Sequence, residues 1–174
     1  MNQALNIDTP AIPHEFQDAF ATQKAHYLAN RNPSYQERAA DLKNLHRLLV
    51  ENREALIDAV NQDYGCRSRF ETVFTELLLN QDGILDTIKH LKRWMKPQKR
   101  SLDQTQYPLG KARVIPQPLG VVGIVVPWNF PISMAMAPLT GVFAAGNTAM
   151  INMLMPPYAG RPTKVLDFML KMKS

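Results

Sequence analysis

The sequence has one cysteine, Cys66, so no disulfide can form within the chain. Cys66 follows Gly65 among charged helical segments with no catalytic partner pattern, and reads as a structural or incidental thiol. Histidines 14, 26, 46 and 90 are scattered, which gives no metal-ligand spacing, so no metal site is expected. Of the fifteen acidic residues only Asp167 lies beyond Asp103, and from Val114 to Gly160 there is no Asp, Glu, Lys or Arg. A stretch that free of charge has no solvated face and belongs in an interior. Its longest helix-like part, Ile132 to Ala145, is too short to cross a bilayer, so no membrane span is expected. The first residues show neither the basic nor the apolar region of a secretory signal, and a cytoplasmic location is expected.

What is present is globular in composition: 174 residues, 45% hydrophobic and 20% charged, enough for one ordinary domain. The net charge of +5 is unevenly laid out, with a charge-rich first hundred residues and an apolar remainder. Lys89, Lys92, Arg93, Lys96, Lys99 and Arg100 cluster where a helix should end. Cations there complement the helix dipole, and without interleaved aromatics they do not imply a nucleic-acid partner.

Residues 1–13 contain Pro10 and Pro13 and read as a loose arm. Residues 14–97 form a helical part. Phe16, Ala19, Phe20, Tyr27 and Leu28 recur at helical spacing before Asn32-Pro33 breaks the pattern. Ser34-Tyr-Gln-Glu37 has the capping-box form, Asn52 stands as the cap of a further helix, and Gly65 ends that helix. Ser68-Arg-Phe-Glu71 is a second capping-box start. It leads into a stripe of Phe70, Val73, Phe74, Leu77, Leu78, Ile84, Leu85, Ile88, Leu91 and Trp94 that Pro97 must stop, with Gly83 as the point of bending.

Residues 98–119 read as a β-ribbon in which Thr105–Tyr107 and Ala112–Ile115 pair across a Pro108–Lys111 turn. Pro116 and Pro118 confine it to an edge, and a ribbon over 104–116 is a surface for pairing with another chain or domain. Residues 120–151 read as a βαβ unit: a β-branched strand, Val121–Val126, of the kind buried on both faces; the elbow Pro127-Trp-Asn-Phe-Pro131; an apolar helix; and a returning strand. The fold class is therefore α/β, and one βαβ unit needs further strands and helices to complete a sheet. Residues 152–174 form a divergent tail that ends in a short helical pattern.

The run Gln117-Pro-Leu-Gly-Val-Val-Gly-Ile-Val-Val-Pro-Trp-Asn-Phe-Pro131, followed by Ala144-Ala-Gly-Asn-Thr148, resembles the NAD(P)+-dependent aldehyde dehydrogenase superfamily. The likeness is strongest to its coniferyl-aldehyde and fatty-aldehyde dehydrogenase branch. Arg67-Ser-Arg-Phe-Glu71 and Leu91-Lys-Arg-Trp-Met-Lys-Pro97 look like the same branch. The resemblance spans roughly residues 15–151 and corresponds to the N-terminal part of a family chain. It implies the opening of a Rossmann-like cofactor domain, an aldehyde substrate and NAD or NADP as cofactor, while the ribbon over 104–116 leaves open a homo-oligomer or another pairing.

By resemblance, Asn129 matches the asparagine whose amide stabilises the oxyanion. A neutral donor held between two prolines suits that task. Val126, Pro127 and Trp128 match the wall on the cofactor side of the site. The bland alternative makes Trp128 and Phe130 core aromatics and Asn129 a turn residue. The family's nucleophilic cysteine, its general-base glutamate and its pyrophosphate-contacting glycine segment lie beyond the matching part. Asn152 stands where the family places a lysine near the adenosine ribose, and the likeness ends at Ile151, as a frameshift or truncation would produce. The chain alone is therefore expected to be inactive and to bind cofactor weakly or not at all. The alternative is a non-catalytic truncated remnant or an interaction partner of a full-length relative.

Overall fold

A computed structural model of the chain describes residues 14–153; the arm over 1–13 and the tail from 154 onward lie outside the described residues. Four helical stretches lead the chain: α1 (His14–Ala29), α2 (Tyr35–Glu51), α3 (Arg53–Tyr64), and a rod made of α4 (Arg69–Glu71), a π-helical segment (Thr72–Leu78) and α5 (Leu79–Trp94). There follow β1 (Gln98–Arg100), β2 (Ala112–Val114), β3 (Val121–Val126), α6 (Pro131–Ala144) and β4 (Thr148–Met153).

Local chemistry sets several of these ends. Ser34 and Glu37 form the full capping box of α2: Ser34 N–H donates to Glu37 Oε2 at 2.7 Å, and Glu37 N–H donates to Ser34 Oγ at 3.3 Å. Gly65 closes α3 at φ 76, a left-handed conformation that a side chain would resist. The other two expected caps are absent. Asn52 Nδ2 donates back to Leu48 O at 2.9 Å, so it finishes α2 instead of starting α3. Ser68 makes no side-chain cap, and the Glu71 carboxylate that would complete the box meets Arg67 instead, at 3.3 Å.

Gly83 lies inside the unbroken α5, and the irregularity of the long rod is the π-helical turn at Thr72–Leu78. That turn adds a residue per revolution and rotates the buried face. Thr72, Glu76, Leu77 and Asn80 go inward, while Phe70, Phe74, Leu78, Leu85 and Trp94 of the expected stripe stay exposed. On α1, Phe16, Phe20 and Leu28 are likewise exposed. That helix rests on β3 and β4 and is anchored by Tyr27, whose hydroxyl donates to Pro118 O at 3.3 Å.

The ribbon pairs Gln98–Arg100 with Ala112–Val114 in antiparallel register. The expected strand over Thr105–Tyr107 is a turn instead. The Asp103 carboxylate accepts from the Thr105 backbone N–H at 2.9 Å and from its hydroxyl at 2.6 Å, which folds the chain back locally, and Leu109 then adopts φ 65.

β3 and β4 pair in parallel across α6, forming the expected βαβ unit, and β4 runs past Ile151 to Met153. Asn147 Oδ1 clamps the entry of β3 by accepting from the Leu119 and Gly120 amides at 2.6 and 2.9 Å. The core joins Leu42, Leu45 and Leu49 of α2, Leu56, Ile57 and Val60 of α3, Ile84 and Leu91 of α5, and α6 with Ile124 and Val126 of β3. The helix α6 touches α2 and α5 on one side and both strands on the other, which explains why its sequence is apolar nearly all round. Burial of β3 on both faces is not met among the described residues. Ile124 and Val126 are covered by α6, whereas Val125 on the opposite face is 66% exposed.

Candidate active site

The elbow leaves the carboxyl end of β3, where open α/β sheets place their ligand crevices. Val126 is fully buried at its base, while Pro127, Trp128 and Asn129 are exposed along it and Phe130 is half-buried. Pro131 takes the first helical position of α6, where its missing N–H costs nothing. The four residues singled out in the sequence are consecutive, and the structure places them at the end of β3 and along the elbow. Among the described residues no hydrogen bond engages the Asn129 carboxamide, which leaves a donor unspent at the mouth of the elbow.

The backbone of the elbow is held from below by side chains of the α3–α4 region. The Tyr64 hydroxyl donates to the Trp128 carbonyl. Arg67 Nη1 donates to the Asn129 carbonyl at 3.0 Å. The Arg67 guanidinium lies 4.9 Å from the Tyr64 ring centre and 4.7 Å from that of Phe130, and its side chain is only 5% exposed. A cation so enclosed needs a counter-charge. Glu76, fully buried on the π-helical turn, supplies it through Oε1 at 3.0 Å from Arg67 Nη1.

The other oxygen of Glu76 serves α6. Glu76 Oε2 accepts from the Ile132 amide at 2.7 Å and from the Ser133 amide at 3.2 Å, and Asn80 Nδ2 donates to Ser133 Oγ at 3.0 Å. Met134 N–H bonds to Phe130 O at 2.9 Å. With Pro131 carrying no N–H, the amides of the first turn of α6 are all engaged. Burial pushes the Glu76 carboxyl up, with Arg67 and the two amides pulling in the opposite direction.

This arrangement decides one point of cofactor chemistry. In a Rossmann unit the first helix commonly offers free amides to a pyrophosphate. Here Glu76 occupies them, so α6 does not provide a phosphate site.

Arg67 and Glu76 were not among the residues singled out in the sequence. Arg67 lay within the quoted Arg67–Glu71 run. Thr72, Glu76 and Asn80, spaced four apart in an apolar helix, were a legible line of polar residues facing one way. Among the described residues there is no group of three His, Cys, Asp or Glu able to hold a metal, and no helix long and apolar enough to cross a membrane.

The sequence model of the aldehyde dehydrogenase family matches residues 9–155. The chain is 42% identical over 154 residues to a probable coniferyl aldehyde dehydrogenase of Pseudomonas aeruginosa, covering 88% of this chain and 32% of that one. It is 38% identical over 143 residues to a coniferyl aldehyde dehydrogenase of a Pseudomonas species, covering 82% of this chain and 29% of the relative. Among solved structures, the substrate-bound Staphylococcus aureus AldH superposes with a TM-score of 0.73 at 27% identity, covering 78% of this chain and 29% of that chain. The fold is also shared with a Streptococcus pyogenes succinic semialdehyde dehydrogenase in complex with NADP+, at a TM-score of 0.74 and 19% identity over 97% of this chain and 34% of that one. The chain spans about a third of the length of the curated relatives it matches. By the family match over most of its length, and by the fold on which the elbow is carried, the chain belongs to the aldehyde dehydrogenase family.

Proposed function

We propose that this chain supplies the oxyanion-stabilising wall of an NAD(P)+-dependent aldehyde dehydrogenase, an oxidoreductase that converts an aldehyde to a carboxylic acid. The observation that carries this reading is the Asn129 carboxamide, exposed and unengaged among the described residues, on an elbow whose backbone is fixed by Tyr64 and Arg67. When a thiolate attacks an aldehyde carbonyl, negative charge develops on the oxygen. A pre-set neutral donor stabilises that charge without reorganising. Val126, Pro127 and Trp128 form the adjoining wall on the cofactor side. The bound nicotinamide group would accept the hydride from the substrate carbon. The curated relatives named coniferyl aldehyde dehydrogenase favour an aromatic aldehyde as substrate.

In this reading the nucleophile and the general base are not among the 174 residues, Asn152 does not replace the family's lysine, and α6 holds no phosphate. The chain alone therefore neither turns over aldehydes nor binds the cofactor tightly. The protein works in the cytoplasm, and the β1–β2 ribbon, with Val114 and Ile115 exposed, is the surface for pairing copies. A second reading, a non-catalytic remnant or an interaction partner of a full-length relative, is favoured by the open face of β3 at Val125.

The test is a chimera joining residues 1–155 to the remainder of the Pseudomonas aeruginosa relative. The expected result is dehydrogenase activity that Asn129→Ala lowers about 10²–10³-fold in kcat. An active chimera indifferent to Asn129→Ala would overturn the assignment.

A further inference from the structure

We infer that Arg67 and Glu76 are positioning residues that act as one buried latch, setting the direction of the Asn129 carboxamide. This rests on the reading of Asn129 as the oxyanion donor, and it adds residues that the family match does not assign.

The geometry is a closed chain of contacts. Arg67 Nη1 grips the Asn129 carbonyl at 3.0 Å, and the same nitrogen meets Glu76 Oε1 at 3.0 Å. Glu76 Oε2 grips the Ile132 and Ser133 amides at 2.7 and 3.2 Å. The elbow is thus fixed at Asn129 and again just beyond Phe130, by two side chains that hold each other. An asparagine side chain has only two rotatable bonds, so fixing its backbone confines its amide to the few directions that its rotamers allow.

The residue types are specific to the task. The Arg67 guanidinium is flat enough to lie between the Tyr64 and Phe130 rings, and its fork reaches Glu76 and Asn129 from Nη1 while Nη2 meets Glu71 at 3.3 Å. A lysine ammonium offers no such plane. Glu76 reaches α6 because the π-helical turn swings it away from the Phe70–Phe74 face. A mid-helix π turn is local structure of the kind found where a side chain must be aimed, and this one bears the buried carboxylate. If the carboxylate only capped α6, one oxygen would suffice; the second, which makes no hydrogen bond, lies in ion-pair contact with the residue that holds Asn129.

The charged groups facing Glu76 are Arg67 and Glu71, and α6 contains no ionisable residue. Of the two carboxylates only Glu76 also grips the Ile132 and Ser133 amides, so a transition that those amides share with Asn129 reports Glu76 and not Glu71. The test uses the 174-residue chain, labelled with 15N, following the Asn129 carboxamide together with the Ile132 and Ser133 amides, and the Leu42 and Leu49 amides as a core reference. In the unaltered chain the Asn129 carboxamide, Ile132 and Ser133 should shift with one common midpoint on acidification. In Glu76→Gln that transition should vanish, and Ile132 and Ser133 should exchange about tenfold faster relative to Leu42. Arg67→Met should move the Asn129 carboxamide signals, and Arg67→Lys should not restore them. A cap with no positioning role leaves the Asn129 carboxamide silent through the titration and in every variant, and that result overturns the inference. The titration of the unaltered chain decides the question even where a variant fails to fold. Its failure would leave the Asn129 role itself to the chimera.

Discussion

The Arg38 guanidinium donates from Nη1 to the Ala144 carbonyl at 3.2 Å, joining the first turn of α2 to the last turn of α6. Its other nitrogens bond to Pro33 O and Asn32 Oδ1, both at 2.9 Å, so one buried arginine ties the α1–α2 connection to the βαβ unit. Gly146 packs on it with φ +79, and a Cβ there would lie 2.7 Å from the guanidinium carbon. Gly146→Ala should therefore lower stability by about 1–3 kcal/mol from the backbone alone, before the clash is counted. Urea unfolding of the variant checks this, and an unchanged midpoint would contradict it.

Asn147 makes a second clamp, through one oxygen shared by the Leu119 and Gly120 amides. Asn147→Ala leaves both donors without that acceptor at the start of β3. The expected loss is about 1–3 kcal/mol. Asn147→Asp, which keeps the oxygen, should recover most of it, as read by the same urea titration.

The two capping glutamates should respond to pH with opposite sign. Hydrogen bonds from the Ser34 backbone and hydroxyl hold Glu37 below the ordinary carboxylate range. Its contribution to stability is present above the unfolded value and is lost as pH falls through the lowered one. Burial pushes Glu76 the other way. Between the ordinary and the raised value the folded chain holds a proton that the unfolded chain has released, so this group's contribution falls as pH rises through that window. Denaturant unfolding at a series of pH values should show a shallower acid loss in Glu37→Gln. The same series should show that the Glu76-dependent decline toward neutral pH is absent in Glu76→Gln.

Much of this fold was legible because its signals are local. The Ser34–Glu37 box, the left-handed Gly65 and the β-branched run into Pro127 each follow from a few neighbouring residues. What escaped the sequence depends on long-range partners. Periodicity alone put Phe70 and Phe74 inward, but the π-helical turn, which gives Glu76 access to α6, rotates them out. Thr105–Tyr107 has strand-like residues, yet the nearby Asp103 carboxylate offered its backbone a turn. At the elbow, the proposal for Asn129 comes from the Pro127–Pro131 motif, which is local. Arg67 and Glu76 were not legible, because their meeting depends on how α3, α4 and α6 pack.

The most direct measurement is a dehydrogenase assay of the purified 174-residue chain, free of host enzyme, with an aromatic aldehyde and either NAD+ or NADP+. In the proposed reading Asn129 is the oxyanion donor, steadied by Arg67 and Glu76, and the nucleophile and base come from elsewhere, so no turnover is predicted. Steady reduction of the cofactor by this chain would contradict the account.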